Sequence, residues 1–335
     1  MDLSSRFFAV ILVTFFASCS GGFRSEMPPE AARPTPSPTP QPTQAPRKRD
    51  AALEKAIIEI SKDAEGTVGV AAEMLETGQF VSVEQATRFP MQSVYKLPIA
   101  MTVLKQIDDG QTKLDQPVVV SPKDFVRVGF HSPIRNLNPA GTVLPVSELL
   151  RASVSESDGT ASDVLLDMAG GPAAVQNYLT GLGIKDMIVA DSEKSISKDW
   201  ETQYRNWSTP DAALELLRII YERRTLSEAS HDLLLKLMSD TEGSPRRLFR
   251  GLPPGAALAH KTGTGGTKDK VTGATNDIGI ITLPDGRHIA IAVFIMNSPA
   301  PAVTRADITG KIARAAIEKW APGMYPADGN TDTNR

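Results

Sequence analysis

The chain holds one cysteine, Cys19, in 335 residues, so no intrachain disulfide can form. Its four histidines, at positions 131, 231, 260 and 288, show no metal-ligand spacing, which argues against a zinc hydrolase. Positive charge is not in excess. With 36 basic and 39 acidic residues the formal net charge is −3, without the basic footprint of a nucleic-acid binder. The apolar run Phe7–Ala17 has 11 residues, well short of the roughly 20 that a helix needs to cross a bilayer. What is present is ordinary for a globular protein: 41% apolar and 22% charged residues, in a length that suggests about two domains.

Arg6 precedes the apolar run and small residues follow it, which is the layout of a secretory signal. Cys19 stands behind Phe16-Ala17-Ser18 and resembles a lipobox cysteine, lipidated and then exposed as the mature N-terminus. The expectation is an exported, periplasmic protein with a possible membrane tether through Cys19, residues 1–19 being its signal. Residues 27–46 carry eight prolines and no apolar periodicity, so 20–49 read as an extended linker.

The folded body alternates helices and strands. Helical patterns cover 50–63, 93–109, 147–169 (with short breaks), 172–182, 210–223, 227–240 and 302–320. Strand patterns cover 66–75 and 79–84, joined at Glu76-Thr77-Gly78, and later 257–264, 276–283 and 288–296. Strands cluster at both ends with helices between. Short turns make neighbours antiparallel. The expected fold is therefore mixed α/β (α+β): one antiparallel sheet flanked by helices (50–90 and 245–322), an inserted all-helical domain (91–244) and a flexible tail (323–335).

Three short motifs carry chemistry. In Ser93-Val94-Tyr95-Lys96 a helix brings a hydroxyl and an amine to one face, at a terminus that favours a developing oxyanion. A serine needs a neighbouring base to become a nucleophile. The pattern is not unique, since Ser195–Lys198 repeats it. Ser157-Asp158-Gly159 lies in a break between helices. Lys261-Thr262-Gly263 lies inside a strand, followed by Thr264 and Gly265. Ser162-Asp163 and Ser239-Asp240 are decoys for the second motif. Order decides: Ser-x-x-Lys, Ser-Asp-x and Lys-Thr-Gly follow one another at separations of 64 and 104 residues.

On these motifs the body, about residues 50–322, resembles the class A β-lactamases. FPMQSVYKLPIA (89–100), VSESDGTASDVLLDMAGG (154–171) and AHKTGT (259–264) read like family signatures. Gln92 and QYRNW (203–207) are similar to the PER-type, extended-spectrum branch. The resemblance implies a β-lactamase/DD-peptidase-like fold and a serine hydrolase acting on a small-molecule β-lactam. It needs no cofactor or metal, and a monomer is expected. Ser93 would be the nucleophile, with Lys96 and Glu193 as bases and Ser157 as a proton relay. Lys261, Thr262, Gly263 and Thr264 would hold the substrate carboxylate, with Arg247 behind them. Asn276 and Asp277 would be structural neighbours. Asp191 and Glu201 compete with Glu193 as the deacylating carboxylate.

Three departures stand out. Gly159 replaces the usual Asn, which implies a weaker grip on the substrate amide and a less well-oriented Lys96. Ser197 replaces another Asn, and its hydroxyl is expected to hydrogen-bond the hydrolytic water. Asp191 and Asn206 occupy positions where many members have an Arg–Asp pair, so the loop must be held differently. A D-Ala-D-Ala peptidase (penicillin-binding protein) and a non-catalytic, lipid-tethered β-lactam sensor are the alternative readings.

Overall fold

The computed structural model describes residues 46–241 and 246–326. The signal at 1–19, Cys19, the linker up to 45 and the tail beyond 326 lie outside the described residues. The main sheet consists of β1 (Lys48–Arg49), β2 (Thr67–Met74), β3 (Gln79–Val83), β4 (Ala257–Thr264), β5 (Thr267–Lys268), β6 (Val271–Thr282) and β7 (His288–Ser298). Strand β7 shows why the sheet is central. Ile289, Ile291, Val293 and Ile295 alternate with Ala290, Ala292 and Phe294, and all are buried. A strand apolar on both faces belongs between neighbours, and β7 pairs antiparallel with β6 and with β2. The β2–β3 hairpin turns at Gly78, where φ is +71°. Strand β1 runs parallel to β3 and closes that edge, while β4 and β5 both pair antiparallel with β6.

Helix α1 (Ala51–Ser61) precedes β2. Between β3 and β4 come α2 (Lys96–Asp108), α3 (Pro133–Leu137), α4 (Val146–Val154), α5 (Gly159–Met168), α6 (Pro172–Gly181), α7 (Glu193–Ile196), α8 (Pro210–Tyr221) and α9 (Glu228–Ser239). Helix α10 (Ala302–Trp320) follows β7. Leu53 and Ile57 of α1, with Ile308, Ile312 and Ile317 of α10, cover the sheet face bearing Val70, Ala72, Ile291 and Val293. The opposite face, with Ala71, Ile278, Ala292 and Phe294, packs into the helical block. At its centre lies α2, buried at every position from Lys96 to Leu104. A helix apolar on all sides has to be enclosed.

Local differences from the sequence pattern have local causes. A 3-10 turn, Gln92–Tyr95, precedes α2, so Ser93 sits on that turn and the α-helix starts at Lys96. The pattern over 147–169 splits: α4 ends at Val154, and Ser157, with a φ of +61°, turns the chain before Asp158 caps α5. A two-stranded ribbon, Pro117–Val120 with Thr142–Pro145, lies within the helical stretch. A three-stranded one joins Phe89–Pro90, Trp207–Ser208 and Met187–Ile188. The packed chain also reaches beyond the expected bounds. Arg47 pairs with buried Glu73 at 3.0 Å, and the Tyr325 hydroxyl donates to Gly251 O.

Candidate active site

The turn carrying Ser93 is fastened from three directions. Asn276 of β6 donates through Nδ2 to Pro90 O (2.7 Å) and Met91 O (3.1 Å). Met91 N donates to Asn206 O at 2.8 Å, and Gln92 Nε2 donates to Gln203 Oε1 at 2.9 Å. Strand β4 packs directly on the turn. A Cβ at Gly263 would lie 2.4 Å from Met91 O, so only glycine lets the Lys-Thr-Gly strand come this close. Gln92 itself takes a φ of +48°.

Ser157 is the meeting point of the two motif lysines. Behind it, the buried Asp158 carboxylate accepts from Ala161 N (2.9 Å), Ile134 N (2.8 Å) and Ser132 Oγ (3.1 Å). That network fixes the break between α4 and α5. Lys96 Nζ donates to Ser157 O at 2.7 Å and lies 3.6 Å from Glu193 Oε2. Lys261 Nζ donates to Ser157 Oγ at 3.1 Å. Gly159 therefore does not leave Lys96 poorly oriented, because a backbone carbonyl and a carboxylate hold it. Lys261 is fully buried. Burial, aided by the Lys96 charge, pushes its ammonium down to about 7.

Glu193 opens α7, which Ser192 caps through Ser195 N. Asp163 of α5 receives the Glu193 N–H at 2.6 Å and the Lys194 N–H at 2.9 Å. Burial pushes the Asp163 carboxyl up to about 6, against the pull of those two donors. Tyr95, fully buried, donates its hydroxyl to Glu193 Oε2 at 2.6 Å. Burial and the charges of Glu193 and Asp163 hold that phenol well above its ordinary range, so it stays protonated.

The loop is held without an Arg–Asp pair between positions 191 and 206. Asn206 Oδ1 accepts from Ala190 N (2.7 Å) and Asp191 N (2.9 Å), and Nδ2 donates to Asp191 O (2.9 Å). Asp191 pairs with Arg205 at 3.0 Å, and Glu201 is exposed, so neither competitor takes the place beside Lys96. Ser197 departs from its expected role. Its hydroxyl donates back to Lys194 O at 2.8 Å, so that proton is not free for a water at Glu193. Lys198 of the second Ser-x-x-Lys is exposed.

Arg247 is buried under β4. It donates to Gly263 O at 3.0 Å, to Thr264 Oγ1 at 2.6 Å and to Asn276 O. Asp277 accepts from Leu248 N at 3.1 Å and meets His260 Nδ1 at 2.7 Å. Thr262 is half-buried and Thr264 exposed on the same strand. The cations Lys96, Lys261 and Arg247 thus gather near one another, with the carboxylates of Glu193 and Asp277 among them. A Cβ at Gly159 would lie 2.9 Å from Glu193 Cγ, 3.2 Å from His131 O and 3.3 Å from Val126 Cγ1. Glycine at 159 is thus the room in which the Glu193 side chain lies. Among the described residues no group of three or more His, Cys, Asp or Glu side chains could hold a metal ion.

The site contacts of Tyr95, Asp163 and Gln203 escape the sequence reading, which holds Asp163 only as a decoy and Gln203 only as part of QYRNW. Asp163 is four residues beyond Gly159 on α5, and that spacing alone marks a shared face. Nothing local marks the bonds of Tyr95 and Gln203, whose partners are 98 and 111 residues away.

The beta-lactamase enzyme family matches residues 52–320. The chain is 38% identical to the extended-spectrum beta-lactamase PER-1 of Pseudomonas aeruginosa, over 79% of this chain and 86% of that one. It is 37% identical to beta-lactamase VEB-1 of the same organism, over 78% and 88%. A solved beta-lactamase from Chitinophaga pinensis superposes with a TM-score of 0.78 at 41% identity, covering 80% of this chain and 99% of that one. The chain belongs to the beta-lactamase enzyme family, as a class A serine β-lactamase.

Proposed function

We propose that Ser93 attacks the carbonyl of a β-lactam ring and carries the acyl group, and that a water activated by Glu193 then releases it. Lys96 and Glu193 share the task of taking the Ser93 proton. Ser157 passes a proton to the departing ring nitrogen, with Lys261 steadying its oxygen. The Ser93 and Thr264 N–H groups receive the oxyanion, an arrangement worth about 3 kcal/mol per donor. Lys261, Thr262 and Thr264 bind the substrate carboxylate. Arg247 positions Thr264 and the Gly263 carbonyl. The observation that carries this reading is the convergence on Ser157 of Lys96 at 2.7 Å and Lys261 at 3.1 Å, with Glu193 3.6 Å from Lys96.

The substrates are penicillins and cephalosporins. We extend them to bulky oxyimino-cephalosporins because the Glu193 loop is fastened through Asn206, and because the relative PER-1 is named for an extended spectrum. The body acts as a monomer, exported to the periplasm and anchored through a lipid on Cys19. The test is turnover of a chromogenic cephalosporin with intact-mass detection of the acyl-enzyme. Ser93→Ala should lower kcat on the order of 10⁵-fold and abolish the adduct. Stable acylation of the unaltered protein by penicillin, without turnover, would replace this reading with that of a penicillin-binding protein.

A further inference from the structure

We propose that the Tyr95 hydroxyl is the positioning group for Glu193, acting with Gly159 to set the carboxylate for deacylation. The inference rests on the assignment of Glu193 above. Tyr95 lies on the same 3-10 turn as Ser93, two residues along, so it ties the base to the nucleophile through one short turn. Its ring is fully buried and its hydroxyl, kept protonated, has one proton, which goes to Glu193 Oε2 at 2.6 Å. Lys96 approaches the same oxygen at 3.6 Å. Both interactions fall on Oε2, and among the described residues nothing bonds Oε1. One carboxylate oxygen is thereby anchored and the other left to take a proton from water.

The other side of the Glu193 chain is set by absence. Its Cγ occupies the place next to Gly159 where a Cβ would lie at 2.9 Å. Two neighbouring positions give this carboxylate no donor: residue 159 has no side chain, and the Ser197 proton goes to Lys194 O. Tyr95 supplies the hydrogen bond that neither of them makes. Acylation depends on Tyr95 less, because Lys96 is held by Ser157 O whether or not the phenol is present.

The experiment is Tyr95→Phe, which keeps the buried ring and deletes one oxygen, assayed beside Glu193→Gln with a chromogenic cephalosporin. Slowed deacylation lowers kcat and KM together and spares kcat/KM. In Tyr95→Phe kcat should fall about tenfold, equivalent to about 1.4 kcal/mol, with KM falling in parallel and kcat/KM kept within about threefold. Intact mass should show the acyl-enzyme accumulating at steady state. In the Glu193→Gln background the Tyr95→Phe change should cost no further activity. If Glu193→Gln traps the adduct while Tyr95→Phe retains full kcat, the Tyr95 inference is overturned and the Glu193 assignment stands. A fall in kcat/KM as large as that in kcat, with no adduct, would overturn the Tyr95 inference in the same way. If Glu193→Gln still turns over freely, both fail together.

Discussion

Gly159→Ala is the smallest change that tests how closely the base is packed. The added Cβ meets Glu193 Cγ at 2.9 Å, His131 O at 3.2 Å and Val126 Cγ1 at 3.3 Å. Carbon atoms rest at about 3.5–4.0 Å, so something must retreat by about 0.6 Å or more. The His131 carbonyl cannot do so freely, because it accepts the Gly159 N–H at 2.9 Å. Val126 is buried in the core. Glu193, a half-buried side chain with rotatable bonds, gives way and pulls against the Tyr95 hydroxyl. A displacement near 1 Å at a reacting group costs about 10²-fold, so kcat should drop roughly 10- to 100-fold. Stability should fall by up to about 2 kcal/mol, since Gly159 opens α5 and gains at most the interior helix preference. Alanine gains about 1 kcal/mol over glycine in a helix, and overpacking takes back about 1–3 kcal/mol. The assay is steady-state hydrolysis with intact-mass detection of the adduct, alongside thermal unfolding. An alanine variant with kcat within twofold of the parent and no accumulated adduct would refute the argument. Asn at 159 brings the same Cβ and more, so it too should lower kcat.

Two further outcomes follow from the same geometry. Lys261, pushed down to about 7 by burial and by Lys96, is charged below that pH and loses its charge above it. For a carboxylate-bearing substrate kcat/KM should therefore fall as pH rises through about 7, whereas the bound carboxylate holds the proton on and carries kcat to higher pH. A pH profile with no such limb, or the same limb for the substrate's methyl ester, would contradict it. Asn206→Ala removes three hydrogen bonds and leaves the Ala190 and Asp191 N–H groups without their side-chain acceptor. At about 1–3 kcal/mol per orphaned group, it should lower the midpoint of thermal unfolding by several degrees and slow deacylation.

The sheet is legible in the sequence because its strands obey simple periods. The pattern at 257–264 matches β4, and the helical pattern at 302–320 matches α10. The motif serines and lysines are legible because order along the chain survives folding. What escapes are features decided by partners distant in sequence. The 3-10 turn under Ser93 is fixed by Asn276, Asn206 and strand β4. Gly159 reads as a lost contact, whereas in the fold it is the space that Glu193 fills. Ser197 reads as a ligand for water because its hydroxyl's acceptor, the Lys194 carbonyl, is set by the turn of α7. Tyr95 is only a spacer in Ser93-Val94-Tyr95-Lys96 until its hydroxyl meets a carboxylate from another loop.

Strand β1 has a mechanical meaning. Lys48 N bonds Gly78 O and Asp50 N bonds Phe80 O, each at 2.8 Å, while Arg47 reaches Glu73. The residues that follow the proline-rich run are thus a clasp stitched to the rim of the sheet. A protease that frees the body without loosening it has to cut before Arg47. A cut at residue 50 strips the rim bare and, among the described residues, leaves Glu73 with only Arg218, 3.8 Å away, to answer its charge.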